Sequence, residues 1–503
     1  MELTFREQTV EYLSETVFDP VSQELTAELI VPDTLPDVGR LADCSGMVLV
    51  QSRSAEAGGM TVTGGVRATV LYVPDSGEGV EALGAYLPFT VSRPAQTEPE
   101  SALFYWGWLR GIDARCINSR KVLIRANLGS ELTLLTPETL RLPQLTDCPA
   151  KLECRTNTYP CILPLCWSER EVSLADEVPL PEQLPSVERV LKWSVVAEVT
   201  ESRILGSKAV FKGNFLLRCL YQTSEGALSV FQTALPYSQY AELDTEPEQG
   251  ILSIQPILCR AELDTDGEAE SRRLLVDFSA TAQIIARGAV PLTLTEDAYV
   301  PNGSLDAAWQ SCPLTPTLDV QSLTQSLTIP LPAEAETVLD WSVCADAPTA
   351  RTGEGGCRVP VAVNLLYYDP ERMLRGTLLR GELTGTASGE GEPLLRLMPG
   401  TEPSVQGAQL VLPLTVEQRF VQTKPMRTLS GGTVTMQPGK DRPSLLVRRC
   451  GGALWDIAKQ TGSTVRAIEA ANGLDTDTVE PDTLLLIPLG QSLEAKEAQH
   501  EAL

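Results

Sequence analysis

The side chains that most often perform chemistry are scarce in this sequence. The only histidine, His500, lies in a polar tail close to the C-terminus of the 503-residue chain. A histidine in that position supports neither Ser-His-Asp nor Cys-His catalysis, and no His-ligated metal, unless the tail folds back into a site. Gly439-Lys440 precedes Asp441 instead of Ser or Thr, so it is not a phosphate-binding loop. We predict that the protein is not an enzyme, has no catalytic residues and uses no cofactor.

The twelve cysteines include no C-x-x-C pair. Several lie in apolar, strand-like runs, which is typical of buried free thiols in a reducing compartment. Cys148, Cys154, Cys161 and Cys166 are close enough in sequence to ligate zinc, but their spacing matches no common zinc module. Free thiols are therefore the favoured interpretation, no metal site is predicted, and a zinc site at these four residues is the alternative.

Composition narrows the classes of partner. The chain has 40 Lys and Arg against 66 Asp and Glu, a formal net charge of −26. Nucleic acids and anionic membrane surfaces need clustered cations, so neither is expected as a partner. The first residues carry several charges, and no run of about 18 apolar residues follows. We expect neither a signal peptide nor a transmembrane helix, and hence a cytoplasmic protein.

Three segments of similar sequence indicate an internal repeat. VLKWSVVAE at 190–198 recurs as VLDWSVCAD at 338–346, and RLADCSGMV at 40–48 is a weaker first copy. Turn motifs with the same spacing precede them, namely LPDV at 35–38, LPSV at 184–187 and LPAE at 331–334. The repeat is much longer than the units of about 20–50 residues found in solenoids, so each copy is long enough to own a core.

Aromatic residues recur at the same spacing. The recurring aromatics are Tyr72, Tyr221 and Tyr367, together with Trp193 and Trp341. Their apolar neighbours predict that they belong to the cores of the repeats. The strand that leads to the tyrosine begins with Gly64 in the first copy and Gly213 in the second, whereas the third copy has Val359.

Short β-branched or alternating runs separated by turn residues predict antiparallel strands in every copy. We predict a mainly β protein in which three tandem β-sandwich-like repeats precede a small βααβ domain. The predicted boundaries are an N-terminal segment (1–24), repeat 1 (25–142), a Pro/Cys-rich linker (143–175), repeat 2 (176–299), a linker (300–325), repeat 3 (326–430), the βααβ domain (444–489) and a polar tail (490–503).

The βααβ prediction comes from the last 60 residues. Leu454, Ile457 and Ala458 fall on one face of a helix, and Gly462 stands where a C-cap glycine is expected. Ser463 or Thr464 can cap a second helix. Strand-like segments, LLVRR and TLLLIP, flank the two helices.

The stretch from 444 to 488 resembles a LysM domain over its full length. The marks are the Leu454-Trp455 pair, Asn472-Gly473-Leu474 and the closing Leu-Ile-Pro. The resemblance implies a groove for N-acetylglucosamine-containing glycans such as peptidoglycan, between the loop after the first strand and the loop before the second. The positions that line this groove by resemblance are Gly451, Gly452, Ala453, Asn472, Gly473, Pro481 and Asp482. Gly452-Ala453 replaces the usual Asp-Thr, which removes two polar side chains that a sugar site would use.

The three repeats resemble the SPOCS domain, which occurs in tandem in spore-forming Firmicutes. The resemblance rests on LPDVGRL at 35–41 and on the strand that ends in Leu-Tyr. Tandem copies followed by one LysM domain look like the architecture of a clostridial family of spore-coat morphogenetic proteins. That family implies binding, through LysM, to the ATPase of the coat's basement layer, contacts with other coat proteins, and a place in the mother-cell cytoplasm at the forespore surface.

Five residues of the LysM-like domain are candidates for binding a protein partner. Trp455 is about 100° around its helix from Leu454, so it is predicted at the edge of the buried face, where an interface tryptophan is favoured. Packing of Trp455 against the repeats or the tail is the alternative. The other four candidates form a basic group that could orient a charged partner or simply be solvated, and they are Arg448, Arg449, Lys459 and Arg466.

The sequence therefore favours a non-enzymatic scaffold or adaptor of spore-coat assembly whose LysM domain docks a coat morphogenetic protein. The alternative function is binding of peptidoglycan through the LysM groove.

Overall fold

The computed structural model describes residues 1–56, 58–147, 152–247, 250–267, 271–301, 303–346, 349–351, 356–386, 392–398, 403–436 and 444–489. It is mainly β, as predicted, and its two helices both lie in the C-terminal domain. Neither of these helices is long and apolar enough to span a membrane.

The first repeat is a sandwich of two antiparallel sheets. Its strands are β1 (Thr4–Val17), β2 (Val21–Ile30), β3 (Val38–Glu56), β4 (Gly59–Pro74), β5 (Glu81–Arg93), β6 (Ala102–Asn118) and β7 (Lys121–Asp147). In one sheet β7 pairs with β1, β2 and β6, and the other sheet has the order β3-β4-β5. Alternating apolar residues of both sheets, such as Val66, Ile124 and Leu128, enclose one core.

The second repeat has the same arrangement. Its strands are β8 (Glu153–Pro179), β9 (Val187–Leu205), β10 (Lys208–Thr223), β11 (Leu228–Glu242), β12 (Ile251–Thr265) and β13 (Arg273–Tyr299). The sheets have the orders β12-β13-β8 and β11-β10-β9 around a core that includes Phe215 and Phe278.

The third repeat is similar. Its strands are β14 (Gly303–Pro330), β15 (Thr337–Ala345), β16 (Thr349–Arg351), β17 (Gly356–Tyr368), β18 (Leu374–Thr386), β19 (Glu392–Met398), β20 (Ser404–Gln406) and β21 (Gln409–Met436). One sheet places β21 between β14 and β19, and the other places β17 between β15 and β18. Below, copies 1, 2 and 3 mean residues 4–147, 153–299 and 303–436.

Most of the two predicted linkers is strand. Residues 153–175 lie in β8, and residues 303–325 lie in β14. Composition suggested linkers because these segments are rich in proline, including Pro160, Pro164 and Pro313. Both strands are edge strands, where a missing backbone N–H leaves no ladder bond unmade.

The repeated tyrosines anchor the repeated turns, and their predicted burial is confirmed. The hydroxyl of Tyr72 donates to the Pro36 carbonyl oxygen and that of Tyr221 to the Pro185 carbonyl oxygen, both at 2.9 Å. Tyr367 reaches the same turn of copy 3 through the Glu334 carboxylate at 3.2 Å. All three rings are buried.

Trp193 and Trp341 are half-buried, and each packs against the core of its own copy where that copy meets another. At each of the three contacts, a polar side chain on the central strand of one copy reaches the same repeat position in the following copy. The contacts are Arg67 over the Trp193 ring (4.6 Å to its centroid), Arg218 over the Trp341 ring (3.8 Å), and Asn364 Nδ2 donating to the Cys44 carbonyl oxygen (2.8 Å). Copy 1 thus meets copy 2, copy 2 meets copy 3 and copy 3 meets copy 1, which closes a ring.

One repeat position from each copy meets inside this ring. The side chains are Asp43, Lys192 and Asp340, all buried. Lys192 Nζ lies 2.6 Å from Asp43 Oδ2 and 2.8 Å from Asp340 Oδ2, and Arg218 Nε lies 2.5 Å from Asp340 Oδ1. Burial alone would raise the pKa of Asp340, but Lys192 and Arg218 outweigh it and hold that pKa below its usual value. Burial raises the pKa of Asp43, which Lys192 only partly offsets.

The outer ends of the longest strands form a second three-part assembly, the ribbon bundle. It consists of the strand pairs β1–β7, β8–β13 and β14–β21 beyond the sandwiches. Two apolar clusters draw residues from all three copies, including Leu142, Leu292 and Leu314 in one and Leu145, Ala298 and Leu429 in the other.

The C-terminal domain has the predicted βααβ order. Its elements are β22 (Leu445–Ala453), α1 (Leu454–Thr461), α2 (Val465–Asn472) and β23 (Thr478–Pro488). Gly462 ends α1 in the left-handed conformation with φ of 72°, as its position predicted. Thr464 caps α2 by accepting a hydrogen bond from the Ala467 N–H.

Candidate binding site on the C-terminal domain

The first turn of α1 meets the ribbon bundle of copy 2 through Trp455. The Trp455 Nε1–H donates to Asp297 Oδ2 at 2.8 Å, and the ring packs edge-on against Tyr299 with centroids 5.0 Å apart. The guanidinium of Arg155, which also belongs to copy 2, lies 5.6 Å from the centroid of the Trp455 ring. Trp455 is half-buried, as its place at the edge of the helix face predicted.

A polar pair completes this contact. Lys459 Nζ lies 2.7 Å and 2.8 Å from the two carboxylate oxygens of Asp297. Burial alone would raise the pKa of Asp297, but hydrogen bonds from Lys459 and Trp455 outweigh it and lower that pKa. The Tyr299 hydroxyl donates to the Ser463 carbonyl oxygen at 3.0 Å, and burial raises the pKa of Tyr299. The domain is therefore joined to copy 2 by both apolar and charged contacts.

The five candidate partner residues thus fall into two groups. Trp455 and Lys459 contact copy 2, which is the packing that the sequence left open as an alternative for Trp455. Arg448, Arg449 and Arg466 are exposed. Arg449 donates to the Asp482 carbonyl oxygen at 2.9 Å and pairs with the Asp482 carboxylate at 3.1 Å. Their role in binding a partner stays a prediction.

The groove positions are tied mainly to the domain's own backbone. The Asn472 side chain donates to the carbonyl oxygens of Ile468 and Leu486 at 2.8 and 2.7 Å and accepts from the Leu486 N–H at 2.8 Å. Gly473 ends α2 in the left-handed conformation. These bonds give Asn472 a structural role in joining α2 to β23.

The end of β22, directly before α1, presents little polar side-chain surface. Ala453 occupies the N-cap of α1 and offers no side-chain hydrogen bond, and Gly452 has φ of 105°. A Cβ built on Gly451 would lie 2.5 Å from the Pro481 Cα, so β22 and β23 touch at this point beside the groove. A glycan here would rely on backbone groups and on Asp482, which already binds Arg449.

Sequence reasoning missed the outer face of the β22–β23 sheet. Four large apolar side chains there are exposed, namely Leu445, Val447, Leu484 and Leu486. The signal was present in the sequence, since a two-stranded sheet with helices on one face needs only every second residue to be apolar, and TLLLIP has no polar alternation.

The cysteine arrangement argues against the zinc alternative. Cys148 lies outside the described residues, and Cys154, Cys161 and Cys166 lie along the single strand β8. At about 3.3 Å per residue, Cys154 and Cys161 are roughly 23 Å apart, too far to share one ion. The described part of the chain holds no group of three or more side chains placed to bind a metal.

Comparison with known proteins supports the βααβ assignment. Residues 453–488 match the family model of the LysM domain, a span that covers α1, α2 and β23. No curated protein and no solved structure matches the chain. The match indicates a module that binds peptidoglycan-type glycans or a protein partner.

Replacing Asp297 with asparagine is expected to weaken docking of the LysM domain on copy 2 by about 1–2 kcal/mol, because the Lys459 ion pair and a charge-assisted bond from Trp455 are lost. The indole N–H resonance of Trp455 would report the loss by a shift towards that of a solvent-exposed indole. Asp456→Asn, which removes an exposed carboxylate of the same helix, is the matched control.

The same contact is expected to depend on pH. Because the folded pKa of Asp297 lies below the unfolded value of 3.8, its contribution is fully present above that value and is lost as the pH falls through the lowered folded pKa. This assignment would be contradicted if the Trp455 indole resonance shifted as much in Asp456→Asn as in Asp297→Asn. It would also be contradicted if the resonance stayed fixed as the pH was lowered to the point at which the domain unfolds.

Proposed function

We propose that the protein is a non-enzymatic scaffold and adaptor of spore-coat assembly. In this proposal its LysM domain docks the ATPase of the coat's basement layer at the forespore surface, and the ring of three copies contacts other coat proteins. The observation that carries the proposal is the contact among Trp455, Tyr299 and Asp297. This contact attaches the LysM domain to copy 2, so a partner bound by the LysM domain would be held next to the ring.

The state of the LysM groove favours a protein ligand over a sugar. A sugar site needs placed polar groups beside a stacking surface. Here the Asn472 side chain is bonded to backbone, Ala453 has no polar group, and Trp455 packs on Tyr299.

Binding of peptidoglycan is the second candidate, because the LysM match itself favours it. A co-purification experiment separates the two. The full chain carrying an affinity tag is expected to retain the coat ATPase at physiological salt and to stay in the supernatant when purified peptidoglycan is sedimented. Saturable sedimentation that chitohexaose abolishes, together with no ATPase retention, would establish the glycan function in place of the adaptor.

A further inference from the structure

The outer face of the β22–β23 sheet is an apolar surface that the described residues leave uncovered. Leu445, Val447, Leu484 and Leu486 are 48, 52, 58 and 39% exposed. Val447 lies opposite Leu486 in the sheet, so they form one continuous strip. The neighbouring residues Leu485 and Ile487 point to the other face, where the helices bury them. Four exposed side chains in one strip form a surface that favours association.

The same sheet has an open edge. Within the described chain β22 pairs only with β23, so its outer side presents backbone N–H and C=O groups to solvent. Such an edge accepts an added strand, whose alternate side chains then extend the apolar strip. The contact with copy 2 involves α1 and leaves this edge and this face outside it.

Charge indicates which strand would fit. The edge strand carries Arg448 and Arg449, in a chain whose net charge is −26. Arg448 is exposed and has no carboxylate partner among the described residues, while Arg449 pairs only at the surface with Asp482. Arg449 lies opposite Leu484, on the face of the apolar strip, whereas Arg448 lies opposite Leu485, on the other face. An added strand whose apolar residues extend the strip therefore places its acidic side chains beside Arg448, where opposite charges stabilise a pair of strands.

Other occupants fit less well. A second copy of this chain would bring two bodies of net charge −26 together. A glycan stacks on aromatic rings, and the four side chains of the strip are aliphatic.

We propose that β22 is the docking edge for an extended segment of a partner protein in which acidic residues alternate with Val, Ile or Leu. The acidic residues meet Arg448, and the apolar residues extend the strip beside Leu445 and Val447. This inference rests on the proposed adaptor function and specifies the surface and the chemistry of the partner.

A synthetic peptide of nine residues, the length of β22, tests the proposal directly. It alternates Val with Glu, and its counterpart alternates Val with Lys. The full chain is expected to bind the Glu peptide and not the Lys peptide in fluorescence anisotropy. Val447→Ser/Leu484→Ser and, separately, Arg448→Glu are each expected to weaken binding about tenfold. Leu205→Ser, which changes an equally exposed leucine on the body (50%), is the matched control and is expected to bind normally.

Several results would overturn this docking edge. They are equal binding of the two peptides, unchanged binding by the Val447→Ser/Leu484→Ser variant, and displacement of the peptide by chitohexaose. Peptide binding that appears only with a chain truncated after Leu489 would also overturn it. The proposed function is tested separately, because a coat ATPase retained equally by the wild type and these variants leaves the adaptor standing and removes only this surface.

Discussion

Lys192→Met is expected to destabilise the protein by about 3–5 kcal/mol, because it leaves Asp43 and Asp340 facing each other in the buried interior of the ring with one cation removed. Arg218 still pairs with Asp340, whereas Asp43 loses both its hydrogen bond and its counter-charge. Urea unfolding at neutral pH measures the loss as a fall in the transition midpoint.

Two further variants distinguish charge from packing. Lys212→Met removes an exposed lysine of the neighbouring strand and is expected to change stability by less than about 0.5 kcal/mol. Asp43→Asn/Lys192→Met removes the stranded carboxylate as well and is expected to be more stable than Lys192→Met alone. If Lys192→Met cost no more than Lys212→Met, the cluster would have to be hydrated and the assignment of a buried charge cluster would be wrong.

The sequence predicted the repeats well, because their landmarks are residues with fixed structural duties. The repeat spacing is preserved at Tyr72, Tyr221 and Tyr367 because each hydroxyl forms a hydrogen bond to the turn about 35 residues before it. The caps of α1 and α2 were predictable for the same reason, since Gly462 and Thr464 act on neighbours within a few residues.

The ring was not predictable from those landmarks. Asp43, Lys192 and Asp340 occupy one repeat position, yet the sign of the charge changes between copies, which in an alignment looks like a tolerant surface position. The closed ring requires charges of both signs at this repeat position, because three like charges could not be buried together. The contact of Trp455 with copy 2 was not predictable either, because its hydrogen-bond partner Asp297 lies 158 residues earlier in the sequence.

The glycine that recurs in copies 1 and 2 has a steric reason in the structure. Gly213 lies next to a bulge in the pairing of β10 with β9, where a Cβ would lie 1.9 Å from the Glu198 carbonyl oxygen and 2.5 Å from the Tyr237 ring. Gly64 of copy 1 is in the same situation, 2.2 Å from the Leu49 carbonyl oxygen and beneath the Phe89 ring. An aromatic ring covers the glycine in both copies, an arrangement that strengthens a strand at a glycine.

Copy 3 has Val359 at this position. Val359 lies opposite Leu383 in the pairing of β17 with β18. The Val359 side chain is fully buried in the core of copy 3. A buried valine at this position belongs to the core of copy 3, so the missing glycine is compatible with the assignment of a third copy.

Gly213→Ala is accordingly expected to lower the free energy of unfolding by about 3 kcal/mol, because the added methyl group must displace either the Glu198 backbone or the Tyr237 ring. The Tyr237 hydroxyl donates to that same Glu198 carbonyl oxygen at 2.6 Å, so the ring cannot move without losing the bond. Gly84→Ala provides the control, since a Cβ at Gly84, in the edge strand β5 of copy 1, meets no atom within 4 Å. It is expected to be neutral or slightly stabilising, because alanine loses less chain entropy than glycine. Equal midpoints for the two variants in thermal unfolding would show that the bulge can relax around a side chain, and the glycine would then need another explanation.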